Sequence, residues 1–169
     1  MLNYAFTEEQ EDIRAMVREF AEAEIAPLVE ESEKNEKFPV EIMPKLGELG
    51  LLGIVFPEEY GGIDAGKITE CIFVEEMTKV CAGITASVNA HADLASFPIY
   101  KFGTDEQKET ILPRIAKGEL AFGIGMSEPD SGSDLAATRT KALRDGDHYR
   151  VTGTKVWTSF AHEADYVIL

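Results

Sequence analysis

Basic side chains are scarce in this sequence. Only 16 lysines and arginines stand against 31 aspartates and glutamates, which gives a formal net charge of −15 over 169 residues. A protein that binds nucleic acid usually clusters positive charge against the phosphates. The composition therefore argues against a nucleic-acid partner, and we interpret the excess of acid as the solvated outer faces of helices.

Cysteine and histidine are also few. Cys71 and Cys81 are the only cysteines, and none of the three histidines forms a pair with metal-ligand spacing. Two residues ten positions apart on one helix lie about 15 Å from each other, which is too far for a disulfide. We therefore predict two reduced, buried thiols, as in the cytoplasm or a mitochondrial matrix, and no metal site.

Long apolar runs are missing as well. The segment MLNYAFTEEQEDIRAM has neither the basic nor the apolar region of a signal peptide, and no stretch has the length and apolarity of a membrane span. We expect neither feature. Hydrophobic residues nevertheless make up 44% of the chain and charged residues 28%, which is typical of a globular protein with a core.

Helical patterns fill the first two thirds of the chain. Thr7 and Thr104 each begin a T-x-x-Q capping box, and Pro27 is expected to kink or break the first helix. The apolar spacing predicts further helices over residues 41–49, 67–80 and 84–100, about five helices in all. The helix over 67–80 is expected to bury four side chains: Ile68, Cys71, Ile72 and Met77.

Strand patterns begin near residue 121. A short apolar run covers Phe122 to Met126, and the Asp145-Gly146 turn predicts a hairpin within TKALRDGDHYRVTG. KVWTSF and DYVIL are interpreted as further strands. The prediction is an α+β fold, with an all-α helical domain over 1–120 and the first strands of an antiparallel β-domain over 121–169. Because the last strand leaves an open edge, we expect a covering partner or a longer chain.

The segment GMSEPDSGSD, residues 125–134, combines turn residues, hydroxyls and carboxylates. It does not contain the phosphate-loop pattern, and Glu128 stands where a dinucleotide fingerprint needs a small residue. Its oxygens do not match the spacing of an EF-hand calcium loop. A flavin site and an ordinary surface turn remain as interpretations. The flavin interpretation is favoured by KVWTSF, where Trp157 offers a flat wall beside hydroxyl side chains.

The motifs GMSEPDSGSDLAA and GTKVWTSFAHEADYVIL resemble the paired flavin-contacting motifs of the acyl-CoA dehydrogenase family. LGLLGIVFPEEYGG and FGTDEQKETILPRIAKGELAFGIGMSEP are similar to that family too, so that the resemblance covers nearly the whole chain. It implies a helical domain followed by a β-domain, with FAD held between the β-domain and a C-terminal helical bundle. That bundle, which usually carries the catalytic glutamate, lies outside these residues.

The resemblance also implies roles for individual residues. Ser127 matches the residue that meets the flavin N1–O2 edge, and Met126 matches its apolar neighbour. Ser133 matches a serine near the pyrophosphate and the thioester arm of the substrate. Trp157 matches the aromatic wall of the flavin site, and Ser159 matches the hydroxyl residue near N5 and O4. Relatives often have W-I-T-N-G where this chain has WTSFA.

Asp93 is the only formally charged side chain between Cys81 and Tyr100. In relatives this helix lines the acyl pocket. A carboxylate that faces an apolar pocket can accept a proton, so Asp93 is a candidate for binding a polar acyl group or for acting as an auxiliary base. The alternative is a residue that faces solvent, another subunit or a backbone amide. His91, in the same helix, is expected to be a packed and hydrogen-bonded ring.

The function that the resemblance implies is the oxidation of an acyl-CoA to its 2,3-unsaturated thioester. An α-proton is removed, and a β-hydride passes to FAD, which an electron-transferring flavoprotein then reoxidises. The implied assembly is a homotetramer that acts in fatty acid or organic acid degradation. These 169 residues alone are expected to be inactive. The alternatives are an acyl-CoA oxidase or flavin monooxygenase on the same scaffold, a non-catalytic partner subunit, or a truncated fragment.

Overall fold

The computed structural model describes residues 5–169, and helices make up most of residues 5–120, called here the helical region. The α-helices are α1 Glu8–Phe20, α2 Ala26–Asn35, α3 Ile42–Glu48, α4 Gly66–Val80, α5 Ala82–Asn89, α6 Ser96–Phe102 and α7 Asp105–Ala116. Two π-helical turns, Ala21–Ile25 and Ala90–Ala95, join α1 to α2 and α5 to α6. Within the described residues these elements therefore form five continuous helices, as the sequence predicts.

Both predicted capping boxes are present. The Gln10 N–H donates to the Thr7 hydroxyl at 3.2 Å, and the Thr7 N–H donates to the Gln10 side chain at 3.0 Å. Thr104 and Gln107 exchange the same two hydrogen bonds, at 3.2 and 2.9 Å. Each pair satisfies amide groups that the first helical turn would leave without partners.

Of the kink or break that Pro27 predicts, the break does not occur. The π-helical turn over Ala21–Ile25 lies directly before Pro27, and the helix continues into α2. Proline cannot donate to the carbonyl four residues earlier and its ring crowds that carbonyl. A π-helical turn changes the hydrogen-bond pattern locally, so that the chain passes the proline without leaving the helix.

The prediction for the buried face of α4 is only half right. Ile72 and Met77 are buried, whereas Ile68 is 59% exposed and Cys71 is exposed. α4 packs on α1, and its Phe73 and Met77 belong to the apolar cluster that contains Val17 of α1, whereas Ile68 and Cys71 do not. Both cysteines are free thiols, but only Cys81 is buried.

Four strands lie in residues 121–169, called here the strand region: β1 Phe122–Ile124, β2 Lys141–Asp145, β3 His148–Thr152 and β4 Tyr166–Ile168. β2 and β3 form the predicted antiparallel hairpin, with Gly146 at φ 63° in the turn. The predicted α+β class is confirmed, but β1 and β4 pair in parallel. The long connection between these two strands makes this possible, since parallel strands need a crossover.

KVWTSF does not form the predicted strand. Residues 155–160 are irregular because Trp157 and Phe160 adopt φ values of 58° and 66°, which lie outside the β region. Phe160 joins the core of the helical region beside Phe38, and Phe122 joins a second cluster beside Leu112 and Ile115. These two aromatic side chains fix the strand region to the helices.

None of the helices in residues 5–169 combines the length and apolarity that crossing a membrane requires. The histidine, cysteine and acidic side chains of the same residues form no group of three or more that could hold a metal ion.

Candidate functional site

The loop after β1 is tightly folded. The Gly125 N–H donates to the Ile168 carbonyl at 2.8 Å and so extends the pairing of β1 with β4. Glu128 and Ser131 then exchange two backbone hydrogen bonds, at 2.8 and 3.1 Å. The Ser131 hydroxyl donates to the Asp134 carbonyl at 2.7 Å. These bonds use the turn residues of GMSEPDSGSD to build a fixed loop.

The same loop leaves polar groups open. Ser133 is exposed, Ser127 is half-buried and the Met126 side chain is 43% exposed. The hydroxyls of Ser127 and Ser133 make no hydrogen bond to any residue that the structure describes. In contrast to Ser131, whose hydroxyl closes the turn, these two serines can donate to a ligand.

A second exposed segment lies beside this loop. The Val156 N–H donates to the Ser127 carbonyl at 2.9 Å, which brings Trp157 close to Ser127 in space. Trp157 is 91% exposed and holds a φ of 58°. A left-handed backbone is unusual for a bulky residue and persists only where neighbouring structure enforces it. Ser159, two residues further along, is also exposed, and its hydroxyl makes no hydrogen bond within residues 5–169.

Phe160 ends this segment by entering the helical region. Its side chain is 3% exposed, and its ring meets the Phe38 ring edge-on at 4.8 Å and the His91 ring at 6.3 Å. The arch of residues 157–159 is therefore held at both ends: by the Val156–Ser127 hydrogen bond on one side and by the buried Phe160 on the other.

His91 is the packed, hydrogen-bonded ring that the sequence predicts. It is fully buried, and its Nδ1 accepts a hydrogen bond from the Phe122 N–H at 3.0 Å. Burial lowers its pKa to about 4, although the Ile115 carbonyl and Asp165 oppose that effect. The ring is therefore neutral near pH 7, and it joins the π-helical turn to β1.

Glu128 is a site residue that sequence reasoning missed. Its carboxylate is buried and accepts hydrogen bonds from the Arg139 N–H at 2.6 Å, the Thr140 N–H at 3.0 Å and the Thr140 hydroxyl at 2.5 Å. The Lys155 ammonium lies 3.0 Å away. The Thr140 hydroxyl, followed by the Arg139 amide and Lys155, lowers the pKa of Glu128 to about 2. These partners are distant from Glu128 in sequence, so no local spacing pattern predicts the contacts.

Asp93 lies in a groove between α4 and the helix that contains α5. Its Oδ1 is 2.5 Å from the Lys67 ammonium, which also contacts Glu70 at 2.7 Å. Burial raises the pKa of Glu70, and the charge of Asp93 adds to that rise while Lys67 opposes it. The groove has a volume of about 630 Å³, and its lining consists of Glu70, Cys71, Val74, Glu75, Thr78, Lys79, Asn89 and Asp93.

The predicted residues thus occupy two places. Met126 and Ser127 lie beside the arch of Trp157 and Ser159, and Ser133 lies further along the same loop as Ser127. The groove at Asp93 is lined by none of these other residues.

Comparison with known families decides what kind of chain carries this arrangement. The acyl-CoA dehydrogenase N-terminal domain matches residues 7–119, and the acyl-CoA dehydrogenase middle domain matches residues 123–169. The chain belongs to the acyl-CoA dehydrogenase family.

Individual proteins are similar along nearly the whole chain. The probable acyl-CoA dehydrogenase YngJ of Bacillus subtilis is 43% identical over 99% of this chain, which covers 44% of that relative. A chain from the electron transferring flavoprotein of Acidaminococcus fermentans is 40% identical with a TM-score of 0.93, over 99% of this chain and 44% of that chain. The chain therefore spans less than half the length of these relatives.

A third relative has a reduced flavin. The glutaryl-CoA dehydrogenase from Mycobacterium smegmatis, in complex with FADH2, is 33% identical with a TM-score of 0.91, over 96% of this chain and 42% of that chain. A reduced flavin is thus bound by a protein whose fold matches that of this chain.

Proposed function

We propose that the complete protein is a FAD-dependent acyl-CoA dehydrogenase that converts an acyl-CoA to its 2,3-unsaturated thioester. The observation that carries this proposal is the hydrogen bond from Val156 to the Ser127 carbonyl. It sets an exposed aromatic face beside an exposed loop rich in hydroxyls, in a chain of this family. We also propose the division of the chain into a helical domain over 1–120 and a partial β-domain over 121–169.

The open groups of the site fit a flavin. In this proposal Ser127 donates from its amide and hydroxyl to the N1–O2 edge, beside the apolar Met126. Trp157 stacks its exposed face against the ring system, and the Ser159 hydroxyl meets the N5–O4 side. Ser133 donates near the pyrophosphate and the thioester arm. The fit is supported by the hydroxyls of Ser127, Ser133 and Ser159, which no described residue uses.

When FAD is bound, it would accept the hydride that leaves the β-carbon of the substrate. Donors fixed at the N1–O2 edge, such as Ser127, stabilise the negative charge that reduction places there. The α-proton needs a base, and Glu128 does not qualify, because its buried carboxylate already accepts four hydrogen bonds. We therefore propose that the base lies outside these 169 residues, and that this part of the protein is inactive alone.

Asp93 is proposed to bind a polar group of the acyl chain. Its ion pair with Lys67 favours this role over that of an auxiliary base, since a carboxylate that holds a lysine at 2.5 Å is already engaged. The groove beside it has enough volume for a small acyl group.

The partners and surroundings follow from the relatives. An electron-transferring flavoprotein is the proposed electron acceptor, in keeping with the similarity to a chain of the Acidaminococcus fermentans structure. Relatives include bacterial proteins and the mitochondrial isovaleryl-CoA dehydrogenase of Bos taurus, which supports the cytoplasm or the mitochondrial matrix. The homotetramer and a role in fatty acid or organic acid degradation remain predictions.

The test uses the complete protein with bound FAD. Under anaerobic conditions, short straight-chain, branched and cyclic acyl-CoA thioesters should each be mixed with it, and the flavin absorbance should be followed. We expect at least one of them to bleach the flavin and to yield the 2,3-enoyl thioester. Rapid oxygen consumption in air would instead indicate an oxidase or monooxygenase. A protein that binds no flavin would contradict the proposal and favour a non-catalytic partner subunit.

Asp93→Asn can be examined with the same substrates. We expect it to change the ranking of the acyl groups while leaving the flavin spectrum unaltered. Glu75→Gln is a matched control, because Glu75 lines the same groove but pairs with Lys79 instead. Unchanged turnover for every substrate would remove Asp93 from the site.

A further inference from the structure

Glu128 and Lys155 join the two segments of the candidate flavin site. Glu128 directly follows Met126 and Ser127, and Lys155 stands two residues before Trp157. Their side chains meet at 3.0 Å and are 6% and 16% exposed. An ion pair this well buried is costly unless additional hydrogen bonds satisfy both partners.

Those additional hydrogen bonds are present on both sides. Glu128 accepts three more, from Arg139 and Thr140 at the start of the hairpin. The Lys155 ammonium also donates to the Met126 carbonyl at 3.0 Å. Lys155 therefore contacts the loop at two points, one on each side of Ser127 in sequence, and the Val156–Ser127 backbone bond lies between them.

This network lies between the Ser127 loop and the Trp157 segment, so its geometry affects how the two are placed in the candidate site. Trp157 is 91% exposed and Ser127 is half-buried, and no hydrogen bond joins their side chains. Their separation is set by the covalent chain on each side and by the bonds of Glu128, Lys155 and Val156. A displacement of about 1 Å at a site that positions reacting groups can change a rate about a hundredfold.

We propose that Glu128 and Lys155 form a positioning pair that fixes the spacing between the Ser127 edge and the Trp157 wall of the flavin site. Neither side chain touches the flavin; both act through the backbone of the residues that do. The proposal rests on the function proposed above. It goes further, because it attributes the rigid geometry of the site, and hence its affinity for FAD, to two charged residues that lie behind it.

The first measurement needs no flavin. Amide hydrogen exchange of the complete apoprotein should be compared for wild type, Glu128→Gln and Lys155→Met. We expect faster exchange in peptides that cover residues 126–128 and 155–160, with the helices of the helical region unchanged. Asp130→Asn is the matched control, because Asp130 lies in the same loop and its ion pair with Arg139 is exposed. It should leave exchange as in wild type.

The second measurement is the affinity for FAD, from quenching of flavin fluorescence. Each variant should raise the Kd about tenfold or more and shift the flavin absorption bands. The double variant should have a Kd no higher than that of the single variant that binds FAD less tightly, because either substitution alone already breaks the Glu128–Lys155 ion pair. Lys155→Arg, which keeps the charge, should restore part of the affinity.

The outcomes separate this proposal from the one on which it depends. Wild-type protein that fails to bind FAD overturns both. Wild-type binding with unchanged exchange, affinity and spectrum in Lys155→Met overturns the positioning pair alone. If Glu128→Gln does not fold, Lys155→Met decides the matter by the same readouts. A lower melting temperature with wild-type affinity and spectrum would show a purely structural role and would also overturn the proposal.

Discussion

The helical region and the strand region differ in what they bury. The helical region encloses two apolar clusters, with side chains such as Val17, Ile42 and Leu112 fully buried. In the strand region the buried side chains are two aromatic ones, Phe122 and Phe160, and two polar ones, Glu128 and Ser131. Both strands of its hairpin are exposed along their whole length.

Because of this difference, the two regions should contribute differently to stability and to ligand binding. Apolar burial is the main force that stabilises a fold, and most of the buried apolar side chains lie in the helical region. The strand region instead takes its shape from two aromatic anchors and one polar network, and it presents Trp157 and the free serines outward. Stability should therefore respond to changes in the helices and at the anchors, and ligand binding to changes on the exposed arch.

The largest effect should come from the anchor that crosses between the regions. Phe160→Ala removes a ring from the core cluster beside Phe38, and we expect a loss of about 3 kcal/mol in the free energy of unfolding. Urea unfolding followed by circular dichroism measures it. Phe160→Leu is the control that keeps most of the apolar volume, and it should lose less. Equal stability for wild type and Phe160→Ala would show that the two regions are not joined through this side chain.

A smaller effect should come from the ion pairs inside the helical region. Glu76 is buried in α4 and contacts Arg14, Arg18 and Lys79 at 3.4, 3.1 and 2.8 Å. Glu76→Gln should lower the free energy of unfolding by about 2 kcal/mol, less than for a fully buried pair, because Arg18 and Lys79 are half exposed. Glu75→Gln, a neighbouring and exposed residue, should have little effect.

The same residue gives the helical region a defined dependence on pH. The hydrogen bond from Arg18, followed by that from Lys79, holds the pKa of Glu76 below its usual value, although burial opposes this. The unfolded chain then binds more protons than the folded one, so this contribution is present above about pH 4.5 and is lost as the pH falls. The free energy of unfolding, measured with urea between about pH 7 and pH 3, should fall less steeply with falling pH in Glu76→Gln than in wild type. The same pH dependence in both proteins would contradict the assignment of this effect to Glu76.

The two regions also differ in how far the sequence predicts them. Local signals locate the helices of the helical region, where Thr7 and Thr104 begin helices by hydrogen bonds within one turn. The Asp145-Gly146 hairpin is equally local. The segment at Trp157 is not, because its positive φ angles depend on Phe160 packing against Phe38, far away in sequence. KVWTSF is interpreted as a strand from sequence alone, and tertiary packing overrides that local preference.

The candidate site shows the same limit. Hydroxyl side chains, an aromatic side chain and a family resemblance indicate five site residues, whose roles stay predictions: Met126, Ser127, Ser133, Trp157 and Ser159. The sequence alone does not indicate the hydrogen-bond network behind them. No local pattern singles out Glu128, because its partners, Arg139, Thr140 and Lys155, meet it only after the hairpin has folded.

The smallest effect on stability should come from the most exposed residue of the arch. Trp157→Ala should change the free energy of unfolding by less than about 0.5 kcal/mol, since a side chain that is 91% exposed contributes little packing. The affinity for FAD should nevertheless fall about tenfold, because the stacking face is lost. Trp157→Phe should retain part of that affinity. Binding by fluorescence and urea unfolding, measured on the same samples, give both quantities. Stability lost in Trp157→Ala with FAD affinity unchanged would mean that this tryptophan packs against protein and not against a flavin, and the contrast between the two regions would then fail at its most exposed point.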